Sequence, residues 1–121
     1  MRVLLTLCFA AVLTMVSVPT FAEGATRFTS IIDDLPLMAG ITEVGEGVEF
    51  STPDGRIAEV AAEGTVARAD VLAFYAATLP QLGWTATDAT HFVREAESLE
   101  LIFKQVGDIL HVQFTLAPEK K

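Results

Sequence analysis

The sequence predicts an α+β fold, a two-layer sandwich in which one main helix packs on one face of an antiparallel sheet. Residues 99–116 alternate between apolar and polar side chains on both sides of a Gly-Asp turn, as half-buried antiparallel strands do. Residues 68–82 instead repeat their apolar side chains at helical spacing. Since the helix and the sheet each have one apolar surface to bury, we expect them to pack together in the element order β-β-α-β-β-β.

A turn at residues 52–55 predicts the first pair of strands. Val48 and Phe50 alternate with polar residues before it, and Pro53 and Gly55 supply the backbone angles that a tight turn needs. The returning strand, residues 56–63, has small apolar side chains at every second position. These patterns predict a β-hairpin.

The helix is predicted over residues 68–82. Val71, Tyr75 and Leu79 recur at helical spacing, and Gly83 follows where a left-handed cap is expected. Pro80 lacks a backbone donor, so the last turns should bend or loosen.

Three strands are predicted after the helix. The first, residues 90–95, has the weakest pattern and places Phe92 inward. The other two, residues 99–104 and 109–116, flank the turn at Gly107 and Asp108 and form the clearest alternation in the chain.

The amino terminus has the layout of a secretory signal peptide. Arg2 precedes an uncharged apolar run over residues 3–18, Pro19 breaks it, and small residues lead to a predicted cleavage site near Ala22. The alternative is an uncleaved membrane anchor, for which this run falls short of the ~20 apolar residues that span a bilayer.

We therefore predict a signal peptide at residues 1–22, an irregular segment at 23–46, an α+β domain at 47–117 and a tail at 118–121. We expect the mature protein in the periplasm, without a membrane anchor.

Composition limits the classes of partner. Removing 22 of 121 residues leaves 99, enough for one domain. Loss of Arg2 leaves 7 basic and 16 acidic side chains, a net charge of −9, which repels nucleic-acid phosphates and anionic lipids. The only cysteine, Cys8, lies in the signal peptide, so the mature chain has no disulfide; this favours a bacterial envelope protein over a disulfide-rich secreted domain.

Several sequence blocks carry a resemblance. The block VLAFYAATLPQLGW at residues 71–84, together with DDLPLMAG at 33–40 and TPDGRI at 52–57, resembles a group of small exported alphaproteobacterial proteins without an assigned activity. The resemblance implies the same fold and compartment, and it adds no site residue.

No sequence motif predicts a catalytic, metal or cofactor site. His91 and His111 are too few for a zinc site and are interpreted as surface histidines. Asp33 and Asp34 are adjacent, whereas calcium loops place their ligands at alternate positions. Glu95, Glu97 and Glu100 lack a nucleophile or histidine partner that would make them an acid–base pair, and no serine lies in a nucleophile-elbow motif.

One surface is a candidate for interaction. If the helix covers only one side of the sheet, a mixed patch with two outward isoleucines faces away from it. The patch comprises Ile102, Lys104, Ile109, His111, Gln113 and Thr115. We expect it to dock the segment 28–38 of the same chain, a second copy or an envelope protein, with the intramolecular cover as the first choice.

The sequence therefore predicts a small exported, non-catalytic interaction or ligand-binding protein whose partner is unknown. The alternative is a small carboxylate- or metal-dependent envelope enzyme. The two differ in whether Asp33, Asp34, His91 and His111 converge in one pocket.

Overall fold

A computed structural model of the chain describes residues 27–119; the predicted signal peptide lies outside the described residues. The described part is an antiparallel six-stranded sheet with one α-helix, which confirms the α+β class. The elements are β1 (Thr42–Thr52), β2 (Gly55–Gly64), α1 (Arg68–Thr78), a 3-10 helix (Leu79–Leu82), β3 (Thr85–Ala86), β4 (His91–Arg94), β5 (Glu97–Val106) and β6 (Ile109–Pro118).

The strands lie in the order β1-β2-β6-β5-β4-β3. The predicted hairpins are present, as β1 with β2 and as β5 with β6. The structure adds one strand to the predicted order, because the two residues of β3 pair with Phe92 and Val93 of β4. Two residues are too few to show an alternation, so the sequence pattern could not indicate this strand.

The core lies between α1 and the sheet face that it covers. Tyr75 of α1 makes an edge-to-face contact with Phe114 of β6, with ring centroids 5.2 Å apart. The small apolar side chains at alternate positions of β2 are fully buried on the sheet face that α1 covers; they are Ala58, Val60 and Ala62. Burial of these side chains supplies the main driving force for the fold.

The segment before β1 packs on the same side of the sheet as α1. Ile32 and Leu35 belong to the buried core, and the Tyr75 hydroxyl donates a 2.8 Å hydrogen bond to the carbonyl oxygen of Pro36. The expectation that segment 28–38 covers the opposite sheet face is therefore wrong. Ile32, Leu35 and Leu37 are buried in the core on the helix side, whereas Phe28 is exposed.

The strand β1 begins earlier than predicted. Residues 42–46, from the segment predicted to be irregular, belong to β1. Gly45 and Gly47 lie inside this strand, where the pairing with β2 shifts register between Val44 and Val48. Gly45 adopts a φ of 68°, which a β-bulge can require and which glycine adopts without strain. The glycines thus bend an edge strand rather than end it.

The helix ends as the sequence predicts. α1 stops at Thr78, and a 3-10 turn containing Pro80 continues to Leu82. Gly83 then takes a left-handed φ of 92°, and the amide of Trp84 donates to the carbonyl of Leu79 at 3.1 Å. Among the described residues, none of the helices has the length and apolar character needed to cross a membrane.

Candidate interaction face

The sheet face opposite α1, called here the open face, is covered by no other described part of the chain. Successive side chains of a strand point to opposite faces of the sheet. The residues that precede and follow a buried residue in a strand therefore lie on the open face. Phe114 and Leu101 point to the core, and their neighbours Gln113 and Ile102 point outward as a pair. All six residues of the predicted interaction patch lie on this face.

Most exposed large apolar side chains of the described chain lie on the open face. They account for six of eight, and the other two are Phe28 and Leu82. The six are Val44, Val48, Phe50, Ile102, Val106 and Ile109. Single exposed apolar residues need no explanation, but their concentration on one face is typical of an interaction surface.

Four of these six residues were not part of the predicted patch: Val106 of β5 and the three that come from β1. Val48 and Phe50 are each 51% exposed, whereas Glu49 between them lies on the helix side, opposite Ala58. The Glu49 carboxylate is 3.8 Å from the Arg56 guanidinium, and Arg56 also pairs with Glu97 at 3.1 Å. Thus the Glu49 side of β1 faces the helix side at the edge of the sheet, and the side with Val48 and Phe50 belongs to the open face. The alternation at residues 48–51 signalled two faces without indicating which one was buried.

The open face is organised in rows that run across the strands. One row, called here the central row, is mainly apolar and consists of Val44, Ala61, Gln113 and Ile102. On one side lies the Glu59 row, formed by Val48, Glu59, Thr115, Glu100 and His91. On the other side lies the Glu63 row, formed by Thr42, Glu63, His111 and Lys104.

The rows separate the two outward isoleucines of the predicted patch. Ile102 is in the central row, whereas Ile109 pairs with Val106 beyond the Glu63 row. Lys104 and His111 stand between them as a cross-strand pair. The apolar surface is therefore divided into bands by polar rows rather than gathered in one patch.

The surface of the open face is concave on both sides of Ala61 in the central row. Ala61 is small and pairs with Val44. An open concavity of about 410 Å³ lies beside them, and its lining includes Ile102 and three residues of the Glu63 row: Glu63, His111 and Lys104. A second concavity of about 220 Å³ lies on the other side of Ala61, between it, Val48 and Glu59.

Charge on this face is mostly negative. Glu59 forms no ion pair with any described residue, and Glu63 lies 3.4 Å from Nδ1 of His111. Glu100 lies 3.4 Å from Nε2 of His91, whose Nδ1 is 2.9 Å from Asp88. The hydrogen bond to Asp88 raises the pKa of His91 above its ordinary value.

The four residues whose convergence would indicate an enzyme do not meet in one site. Asp34 forms an ion pair with Arg94, whose guanidinium stacks on the Trp84 ring of the core at 4.3 Å. His111 and His91 lie on the open face, on β6 and β4, with β5 between them. Asp33 is exposed in a turn.

The glutamates considered as an acid–base pair are also dispersed. Glu97 binds Arg56 on the helix side, Glu100 faces outward beside His91, and Glu95 occupies the turn between β4 and β5. Within residues 27–119, no group of three or more His, Cys, Asp or Glu side chains is placed to hold a metal ion.

Comparisons of this chain with protein-family models, with curated proteins and with solved structures find no match.

Proposed function

We propose that this chain is a small exported, non-catalytic interaction protein of the bacterial envelope, and that the open face is its binding surface. The observation that carries the proposal is the concentration of exposed apolar side chains on the one sheet face that the chain leaves uncovered. Such a surface gains roughly 25 cal/mol for each Å² of apolar area that a partner removes from water.

The alternative, a small carboxylate- or metal-dependent enzyme, has weaker support. A catalytic site needs its acid, base and nucleophile within hydrogen-bond reach of one reacting atom. Asp34 and His111, two of the residues that would have to meet, belong to opposite faces of the sheet and have separate ion-pair partners. We therefore favour binding over catalysis.

Export is the second part of the proposal. The three-part pattern of residues 1–22 supports cleavage near Ala22 and delivery to the periplasm. Mass spectrometry of the protein from its native envelope should give a mature chain that begins near Glu23. Recovery of an intact Met1 terminus from membranes would instead indicate an anchor.

The binding surface is tested by replacing Ile102 and Ile109 together with threonine. Both side chains are exposed and threonine keeps strand propensity, so the midpoint of thermal unfolding should stay near the wild-type value. The native mass of the complex formed in an envelope extract, measured by size-exclusion chromatography with light scattering, should fall to that of the free chain.

Leu82→Ala is the matched control, because Leu82 is also exposed but lies in the 3-10 turn after α1. It should leave the complex intact. If the double variant and Leu82→Ala both behave as wild type, the open face has no role in binding.

A further inference from the structure

We propose that the partner of the central row is a cationic amphipathic helix, a segment with one apolar stripe flanked by lysines or arginines. The inference rests on the proposed function, since it names the occupant of the open face. It follows from the order of the rows, which places an apolar band between two rows that contain carboxylates.

The dimensions of the rows fit a helix. Neighbouring rows are two residues apart along β2, β5 and β6, so the Glu59 and Glu63 rows lie about 13 Å from each other. A helix with its side chains is about 10–12 Å wide. The central row crosses four strands, from Val44 to Ile102, a length of about 15 Å. That is about ten residues of helix, or nearly three turns.

The shape of the central row also suits a helix. The concavities on either side of Ala61 would receive apolar side chains that project from one stripe of the partner. A partner strand would instead add to the free edge of β1, where the bulge between Val44 and Val48 interrupts regular pairing.

The charges decide the sign of the partner's flanks. Glu59 and Glu100 border the central row on one side, and Glu63 and Lys104 border it on the other. The three carboxylates outnumber the one lysine in these two rows, and the negative excess is concentrated in the Glu59 row. Basic residues beside the apolar stripe would lie opposite these carboxylates. The predicted net charge of −9 for the mature chain would steer such a partner toward the protein.

The same charges disfavour two other occupants. A second copy stacked on the open face would bring carboxylate rows near carboxylate rows, with an equal net charge on each chain. An anionic lipid surface would be repelled for the same reason. A cationic segment of another protein would not be repelled by these carboxylates.

The test uses two synthetic 14-residue helical peptides that share one stripe of leucines and carry lysines or glutamates as flanks. Binding to the purified protein is measured by fluorescence anisotropy at low and high salt. We expect the lysine peptide to bind at least about tenfold more tightly than the glutamate peptide at low salt, and the difference to shrink as salt screens the charges.

Two matched double variants distinguish the effect of carboxylates beside the central row from the effect of overall net charge. Glu59→Gln with Glu63→Gln should weaken binding of the lysine peptide by about threefold for each carboxylate. Asp33→Asn with Asp54→Asn removes the same charge from exposed turns and should leave the affinity within about twofold of wild type, because those turns lie outside the central row. Ile102→Thr should weaken both peptides.

The outcomes distinguish this inference from the proposed function. Equal affinity for the two peptides, or equal effects of the two double variants, would overturn the cationic helix and leave the open face as a binding surface. A protein dimer that dissociates on Ile102→Thr would make a second copy the occupant and also overturn it. If neither peptide binds and Ile102→Thr changes nothing, both proposals fail.

Discussion

At the scale of single residues, His91 is held by carboxylates on both ring nitrogens. Asp88 lies against Nδ1 and also accepts a 2.8 Å hydrogen bond from the amide of Thr90. The Thr90 amide, followed by His91, lowers the pKa of Asp88 to about 2. The turn before β4 is thus organised around the Asp88–His91 pair at the border of the open face.

Asp88→Asn should return the pKa of His91 toward its ordinary value, because the hydrogen bond to Asp88 is the main cause of its rise. Titration of the His91 ring by NMR measures this. Glu100→Gln is the control, since Glu100 contributes less, and it should lower the pKa of His91 by a smaller amount.

The same pair has a defined pH dependence. The raised pKa of His91 stabilises the fold fully below the unfolded value of about 6.5, and this contribution disappears as pH rises through the folded value. The lowered pKa of Asp88 contributes above about pH 4 and is lost as pH falls toward 2. The stability difference between wild type and Asp88→Asn should therefore be largest between about pH 4 and 6.5. A difference that stays constant from pH 3 to 9 would contradict the pairing.

At the scale of elements, β6 carries the sharpest contrast between the two faces. Phe114 is fully buried against Tyr75, whereas His111 on the same strand is on the open face and contacts Glu63. Phe114→Ala should lower the free energy of unfolding by about 3–5 kcal/mol, because it leaves a cavity in the core. His111→Ala loses at most an exposed ion pair and should cost about 0–1 kcal/mol.

Chemical denaturation of both variants measures this contrast. Since a domain has about 5–15 kcal/mol of stability in all, the loss at Phe114 should also reduce expression. Equal destabilisation by the two changes would mean that the faces of β6 are assigned incorrectly.

The sequence predicted most elements because their signals are local. The alternation of β5 and β6, the helical spacing of Val71 and Tyr75 and the left-handed cap at Gly83 all appear where expected. Two features depended on tertiary context. The glycines of β1 resemble a loop until pairing with β2 holds them in a bulge, and β3 is too short to carry a pattern.

The sequence predicted only part of the candidate face, because assigning the rest also needed tertiary context. Strands β5 and β6 have one strongly apolar side, so their outward residues could be identified without the structure. On β1 the alternation of Val48 and Phe50 is equally clear, but the apolar side is the exposed one. Only the pairing with Glu59 and Ile57 assigns these residues to the open face.

At the scale of the whole molecule, the two sides of the sheet are covered unequally. The helix and the segment before β1 both pack on one side, where Tyr75 bonds the carbonyl of Pro36. The other side carries rows of apolar side chains with carboxylates between them. This asymmetry is the physical basis of the proposed binding surface.

Site-specific photo-crosslinking in intact cells tests that surface most directly. A photoreactive residue in place of Gln113 lies in the central row, and one in place of Ala73 lies on the exposed side of α1. The proposed function predicts a discrete crosslinked product from position 113 that is lost when Ile102→Thr is added, and no such product from position 73. Absence of a product at 113, or the same product from both positions, would contradict the assignment of the open face as the binding surface.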